Sequence, residues 1–457
     1  MNNFKTSTKK DLESFILDNN FKKIFILVGN QSFNLSGLKE FFFNKFNNKD
    51  LKFYFKKAAF PEYVELIDII LKIKIFSPDL IIAAGGGSVL DYAKIANVLD
   101  LNDNLKNEIK HSSCKLKKKK RKLLAIPTTA GSGAEVTSNA VIYLDGVKYS
   151  VEGELIKPDF FLLIPEFISG ATNKIKASAG FDAIAQAMES LMSKKSNEQS
   201  VSFAKKSLDL SLNYFTNFLS NPNYQNTCAM SLAANLSGEA INISKTTAPH
   251  AVSYPFTSLF NISHGHAVSL TINKFMIFNY KNLHSSEVNF DLKERFKILF
   301  EKTKSNNISE FDLFLKKIKK TANLEYNFEK LGIDIKLSVP KILENINNQR
   351  LSNNPVMVDK EIVKKILLDS WKISNYFQFI KLWNIRNFMY KIFVLSFSFF
   401  TVLTSSAQAY LEPGMISMFL QAAIATFLGV FAYITLYWQK FKSLVKKILE
   451  KADKKNK

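Results

Sequence analysis

A chain of 457 residues, 47% hydrophobic and 22% charged, has ample material for a buried core, which excludes a disordered, collagenous or disulfide-stapled protein. Its length points to two or three domains, because single cores rarely grow past about 250–300 residues. The 62 Lys and Arg against 40 Asp and Glu give a net charge of +22, which raises nucleic acid or an anionic membrane as partners.

The distribution of charge separates the two. The run Lys115–Lys122 precedes an apolar, strand-like stretch and lacks the interleaved aromatics of a single-strand binder. It reads as a solvated loop, with a docking patch as the alternative, and no nucleic-acid partner is expected. Cys114 and Cys228 are the only cysteines. Two are too few for a disulfide framework, so the body is expected to be reduced and cytoplasmic, with both thiols structural.

In chain order, the polar N-terminus lacks the apolar region of a signal peptide. Lys23–Val28 reads as a buried strand ending at Gly29, and Leu80–Ala84 as another, running into Gly85-Gly86-Gly87-Ser88. Leu123–Ile126 reads as a third, followed by Pro127-Thr128-Thr129-Ala130-Gly131-Ser132-Gly133. Strands alternating with helices imply a parallel, doubly wound sheet. From Asn173 to about Tyr376 strand signals fade and helical periodicity takes over. The predicted fold is therefore an α/β domain over residues 1–172 and an all-helical domain over 173–376, then a linker at 377–388.

The C-terminus is different. Ile392–Leu411 gives 20 residues without a charge and Met415–Gln439 another 25, each long enough to cross a hydrocarbon core of about 30 Å. Arg386 and Lys391 precede the first run and the Lys-rich stretch 440–457 follows the second, whereas Glu412-Pro413-Gly414 between them carries no positive charge. The positive-inside rule puts both ends in the cytoplasm. Residues 389–439 are thus expected to be two transmembrane helices anchoring a cytoplasmic body to the inner membrane; a buried helical hairpin is the alternative. Met389-Tyr390-Lys391, the apolar run to Leu403 and Ala407-Gln408-Ala409 also have the form of a signal peptide. Cleavage after Ala409 and a fusion to a small bacterial membrane protein, which this segment resembles, both remain open.

The chemistry begins at Gly85. A glycine triplet at a strand's carboxyl end, followed by Ser88 and a helix bearing Asp91 and Lys94, lets backbone N–H groups approach a pyrophosphate. Alone it is also an ordinary tight turn, but Thr128 to Gly133 offers a second loop of small residues at a strand end. Of five histidines, His250, His264 and His266 fall within 17 residues. Upstream, the helix through Gly180–Glu189 places Asp182 and Gln186 one turn apart on one face. A carboxylate with two imidazoles suits Zn²⁺ or Fe²⁺ with a position open for substrate.

These residues, from the glycine triplet through Ile126–Glu135 and Asp182-Ala183 to Ser263-His264-Gly265, resemble the iron-containing (group III) alcohol dehydrogenases, collinearly from about residue 20 to about 376. The resemblance implies a dinucleotide-binding sheet domain, a helical metal domain of dehydroquinate synthase-like architecture, and a cleft between them. It places Gly86, Gly87, Ser88 and Asp91 at an NAD(P)H cofactor with Thr128, Thr129, Ser132 and Lys148 close by. It assigns the metal to Asp182, Gln186, His250 and His264, of which Asp182, His250 and His264 would carry catalysis. Gln186 departs from the family's histidine, and an amide oxygen is the weaker ligand for a borderline metal. Tyr254 stands where many relatives carry a further histidine, so its hydroxyl, or a water, is a candidate proton donor. His266 reads as a support for the ligands or a structural residue rather than as a ligand.

Ile241–Tyr254, Phe181–Ser190 and Ser263–Ala267 are similar to the phosphonoacetaldehyde reductase branch. That similarity implies reduction of a small phosphonate-bearing aldehyde to 2-hydroxyethylphosphonate, a step of phosphonate biosynthesis. Lys245, with Ser244, Thr246 and Thr247, would offer donors to the dianionic group. A generic alcohol dehydrogenase, a sugar-phosphate-cyclase-like lyase and a membrane-tethered scaffold with a decayed site are the alternatives. Asn30-Gln31-Ser32 after the first strand contains no acid, so NAD and NADP both remain open, as does a homodimer.

Overall fold

The computed structural model describes residues 6–368 apart from 47, 117 and 347. The expected linker, the two spans over 389–439, the site after Ala409 and the tail 440–457 lie outside the described residues. Among the described residues no helix is long and apolar enough to cross a membrane.

Five parallel strands form one sheet in the order β2-β1-β3-β4-β7, with β1 Lys23–Gly29, β2 Asp50–Lys56, β3 Leu80–Gly85, β4 Lys122–Pro127 and β7 Phe160–Phe161. β1 and β3 are buried along nearly their whole length. Helices cover both faces of such a sheet, so its central strands read as continuous apolar runs, here IFILV and LIIAA. β2 escapes that reading because it is an edge strand in which only Tyr54 is buried and the other residues are exposed or part-buried. The register aligns Ile24 with Leu80 and Leu80 with Lys122, which brings Gly85 level with Pro127. The chain doubles back between β1 and β3, and the crevice at such a reversal is where open α/β sheets bind ligands.

A hairpin not visible in the sequence reading follows the second loop: β5 Asn139–Leu144 pairs antiparallel with β6 Val147–Glu152. Its two-residue turn is Asp145-Gly146, at φ 54° and 79°, the left-handed pair that matches strand twist in tight hairpins. The basic run also differs from a freely solvated loop. Lys119 and Lys122 pair with Asp159 at 3.2 and 3.8 Å and Lys120 with Asp100 at 3.2 Å, which fastens the entry to β4.

From Pro165 onward every described regular element is helical, with long helices at Asn173–Met192, Glu198–Ser220 and Tyr224–Ser244. Their starts are capped by Thr172, Asn197 and Asn223, whose side chains accept from backbone N–H groups three residues on. The Asn173–Met192 helix is buried on nearly every side, as expected of a helix at the centre of a core. Phe181, Met188, Leu208, Phe215 and Met230 are among the residues that lock these three helices together.

Candidate active site

The central helix fixes Asp182 inside the protein. His250 lies in the first turn of the helix Ala248–Phe260, and His264 opens the helix His264–Ser269. Ligand atoms of these three residues all lie within 4.8 Å of one another. His250 Nε2 is 3.2 Å from Asp182 Oδ1, and His264 Nε2 is 3.9 Å from the same oxygen. This approach depends on Gly265. A Cβ there would meet the Ser178 carbonyl oxygen at 1.9 Å and Asp182 Cβ at 2.9 Å.

Electrostatics prepare the same centre. His264 is pushed down to about 3, chiefly by burial, with the charges of Lys148 and His250 adding to it; it is therefore the neutral imidazole that a metal requires. Burial also opposes charge on His250, but Glu189 and Asp182 outweigh it and raise His250 to about 9. Asp182 stays below the usual carboxylate range, because His264 and His250 overcome its burial. One carboxylate and two imidazoles converging on one point fit Zn²⁺ or Fe²⁺.

Glu189 completes this arrangement and was not singled out from the sequence. It is fully buried, accepts from Thr247 N at 2.9 Å and Thr247 Oγ1 at 2.8 Å, and bonds to His250 Nδ1. A carboxylate on Nδ1 keeps the proton on that nitrogen, so that Nε2 is the atom a metal would take in exchange for its proton, the usual support of a metal-binding histidine. The available signal was spacing: residues 182, 186 and 189 lie on one helix face. Gln186 turns its nitrogen to the cluster rather than the oxygen expected of a ligand. Nε2 lies 3.1 Å from Asp182 Oδ2 and 3.4 Å from the Ser132 carbonyl, while Oε1 accepts from Ser237 Oγ at 3.0 Å. Both neighbours on the nitrogen side are acceptors, so only the NH₂ group satisfies them.

The cluster opens onto a cleft of about 500 Å³. Gly87, Ser88, Asp91, Thr129, Ser132 and Lys148, among the expected cofactor residues, line it. Gly86 and Thr128 do not appear on its wall, and Thr128 is buried. The two loops approach closely, since a Cβ on Gly87 would come within 2.9 Å of Ser132 Oγ. Bare backbone at a helix start, at the sheet's reversal point, fits a dinucleotide pyrophosphate. Lys94, by contrast, turns inward and donates to Ala134 O, Thr137 Oγ1 and Asn139 O at 2.9, 2.9 and 2.6 Å, which ties the Gly87–Val98 helix to the second loop. Asp91 is pushed up to about 6 and Lys148 down to about 7, both mainly by burial.

Lys148 Nζ sits 3.4 Å from the centre of the Tyr254 ring, and Tyr254 stacks on His264 at 5.8 Å. Lys245 lines the cleft, but its ammonium lies 3.5 Å from Glu152 Oε2, a partner the sequence did not reveal. His266 bonds through Nε2 to the Glu325 carbonyl at 2.6 Å.

Comparison with known proteins gives this geometry a lineage. The family model for iron-containing alcohol dehydrogenase matches residues 3–165, and that for the C-terminal part of the same family matches residues 176–371. The phosphonoacetaldehyde reductase of Streptomyces viridochromogenes is 29% identical over 211 residues, 44% of this chain and 53% of that protein. The 4-hydroxybutyrate dehydrogenase of Clostridium kluyveri is 29% identical over 311 residues, 66% of this chain and 82% of that protein. This chain thus spans about half of the first relative and most of the second. In fold it is similar to the sulfoacetaldehyde reductase of Bifidobacterium kashiwanohense, solved with NAD⁺, at a TM-score of 0.69 and 21% identity over 80% of this chain and 95% of that one. Two family models that together run from the first strand to the last described helix leave one conclusion: this chain belongs to the iron-containing alcohol dehydrogenase family.

Proposed function

We propose that this chain is a metal-dependent, NAD(P)H-linked reductase of a small aldehyde, and that its substrate is phosphonoacetaldehyde, reduced to 2-hydroxyethylphosphonate. The observation carrying this reading is the convergence of Asp182, His250 and His264 on the cleft that the two glycine-rich loops enter. A bound Fe²⁺ or Zn²⁺ supplies polarisation of the aldehyde oxygen, and bound NAD(P)H supplies the hydride. Asp182, His250 and His264 hold the metal, Glu189 fixes the tautomer of His250, and Gln186 orients Asp182. Gly87, Ser88, Thr129 and Ser132 seat the cofactor, with Asp91 and Lys148 beside it. Tyr254, whose ring stacks on His264 at 5.8 Å, offers a hydroxyl as the source of the proton that the product oxygen must receive.

The phosphonate is the finer part of the proposal. Lys245 on the cleft wall and the relatives named for phosphonoacetaldehyde and 4-hydroxybutyrate, both anionic molecules, support it. The full chain, loaded with Zn²⁺ or Fe²⁺, is expected to oxidise NADH or NADPH with phosphonoacetaldehyde faster than with propanal. Undiminished turnover after metal removal would overturn the metal assignment; equal rates on both aldehydes would overturn the substrate.

We also propose the division at 172/173 between nucleotide and metal domains, and an inner-membrane anchor at 389–439, which rests on the sequence alone. Membrane fractionation and the intact mass of the extracted protein test the anchor. Recovery in the soluble fraction at full mass would refute it.

A further inference from the structure

The cleft wall carries more cations than the cofactor loops account for. Lys148, Lys174, Lys245 and Arg350 line it, against the carboxylates Asp91 and Asp182. Arg350 comes from the short helix Asn348–Leu351, far along the chain from every motif singled out above. Its side chain is only 12% exposed, and Nη2 meets Glu152 Oε1 at 3.0 Å. The other oxygen of the same carboxylate meets Lys245. Glu152, at the end of the β5–β6 hairpin, is therefore the hinge pin between two cations from different parts of the fold. Burial pushes the Glu152 carboxyl up, but Lys245 and Arg350 outweigh that and keep it ionised.

A second link holds the same pair in register. Lys245 follows the helix Tyr224–Ser244 with φ 59° and ψ 172°, a strained conformation for a residue with a Cβ, which persists only where its surroundings impose it. The restraint comes from Asn353, three residues after Arg350. Its buried Nδ2 donates to Ser244 O and Thr246 O, both at 2.9 Å, one on each side of Lys245. One short segment thus supplies the guanidinium and clamps the strained turn that presents the ammonium. Arg350 and Lys245 share the cleft wall with Tyr254, whose ring stacks on His264 of the metal cluster.

Resting on the reading of the chain as an aldehyde reductase, we infer that Arg350, set by Glu152 and paired with Lys245 through Asn353, is a specificity-determining residue that recognises the anionic group of the substrate. A guanidinium presents paired N–H donors to phosphonate or carboxylate oxygens, a geometry an ammonium does not reproduce. Uncharged aldehydes of equal length gain nothing from it.

The test compares the full chain with Arg350→Ala and Arg350→Lys on phosphonoacetaldehyde, succinic semialdehyde and propanal. The readout is selectivity, the ratio of kcat/KM for the anionic aldehyde to that for propanal. Arg350→Ala should lower this ratio by about thirtyfold or more, mainly through KM, as truncating one member of a buried charged contact does. Arg350→Lys should recover part of it. A merely structural role would lower both rates together and leave the ratio unchanged, which would overturn the inference, as would a wild-type protein that prefers propanal. If the wild type prefers succinic semialdehyde to phosphonoacetaldehyde, the phosphonate reading fails; a collapse of the semialdehyde-to-propanal ratio in Arg350→Ala would still support the role of Arg350.

Discussion

Glu189→Gln tests the metal centre without touching a ligand. In the wild type both carboxylate oxygens act only as acceptors: Oε1 takes Thr247 N, Thr247 Oγ1 and His250 N, the last at 3.3 Å, and Oε2 takes His250 Nδ1. A glutamine of the same shape must turn its NH₂ toward one of these sets. Facing Thr247, it confronts two N–H groups and a hydroxyl. Facing His250, it lets the imidazole keep a partner only by moving the ring proton to Nε2, the atom aimed at Asp182 and the metal. The first arrangement leaves the two backbone donors unmatched with or without the metal and so lowers stability; the second leaves one buried donor unmatched only when the metal takes Nε2, at a cost of about 1–3 kcal/mol. That converts to a loss of roughly 5- to 150-fold in metal affinity, in line with the effect of removing carboxylate support from metal-binding histidines elsewhere. Zn²⁺ competition against a chromophoric chelator, with NADH binding followed in parallel, measures it on the full chain. A Zn²⁺ affinity within about twofold of wild type would show that Glu189 does not set the histidine's ligating form.

Two further perturbations address the scaffold. Gly265→Ala would drive a methyl group into the Ser178 carbonyl and Asp182; it should destabilise the fold by about 2–3 kcal/mol and weaken metal binding together, read by denaturant titration and metal content. Lys319 is buried, donates to Ser269 O at 2.7 Å and is pushed from 10.5 down to about 7, chiefly by burial. Between those values the unfolded chain holds the proton more tightly, so the penalty is full below pH 7 and fades as pH rises toward 10.5. Relative to Lys319→Met, the wild type should gain at most about 2–3 kcal/mol between pH 7 and 9, and parallel stability curves would refute this.

How much of this was legible in the sequence depended on how local each signal was. β1, β3 and β4 announced themselves because a parallel strand covered on both faces must be apolar throughout. Asp182, His250 and His264 were legible as scarce ligand types in a recognisable pattern, and the structure brings all three together. β2 and the β5–β6 hairpin were not, because an edge strand and a two-stranded ribbon need no unbroken apolar run. Glu189 and Arg350 were hidden for a different reason. A glutamate on a helix and an arginine in a polar stretch are ordinary surface residues until the fold buries them, and what buries them is long-range: Glu189 meets residues 58 to 61 positions away, and Arg350 meets Glu152 across 198. The same distinction explains Gln186. Its type suggested a weak oxygen ligand, but the acceptors around its amide come from Asp182 one turn earlier and from Ser132 on the nucleotide loop. Chemistry carried by a residue's own type can be read from one dimension. Chemistry set by which atoms surround it requires the fold, and in this cleft the orientation of Asp182, the tautomer of His250 and the placement of Lys245 all belong to the second kind.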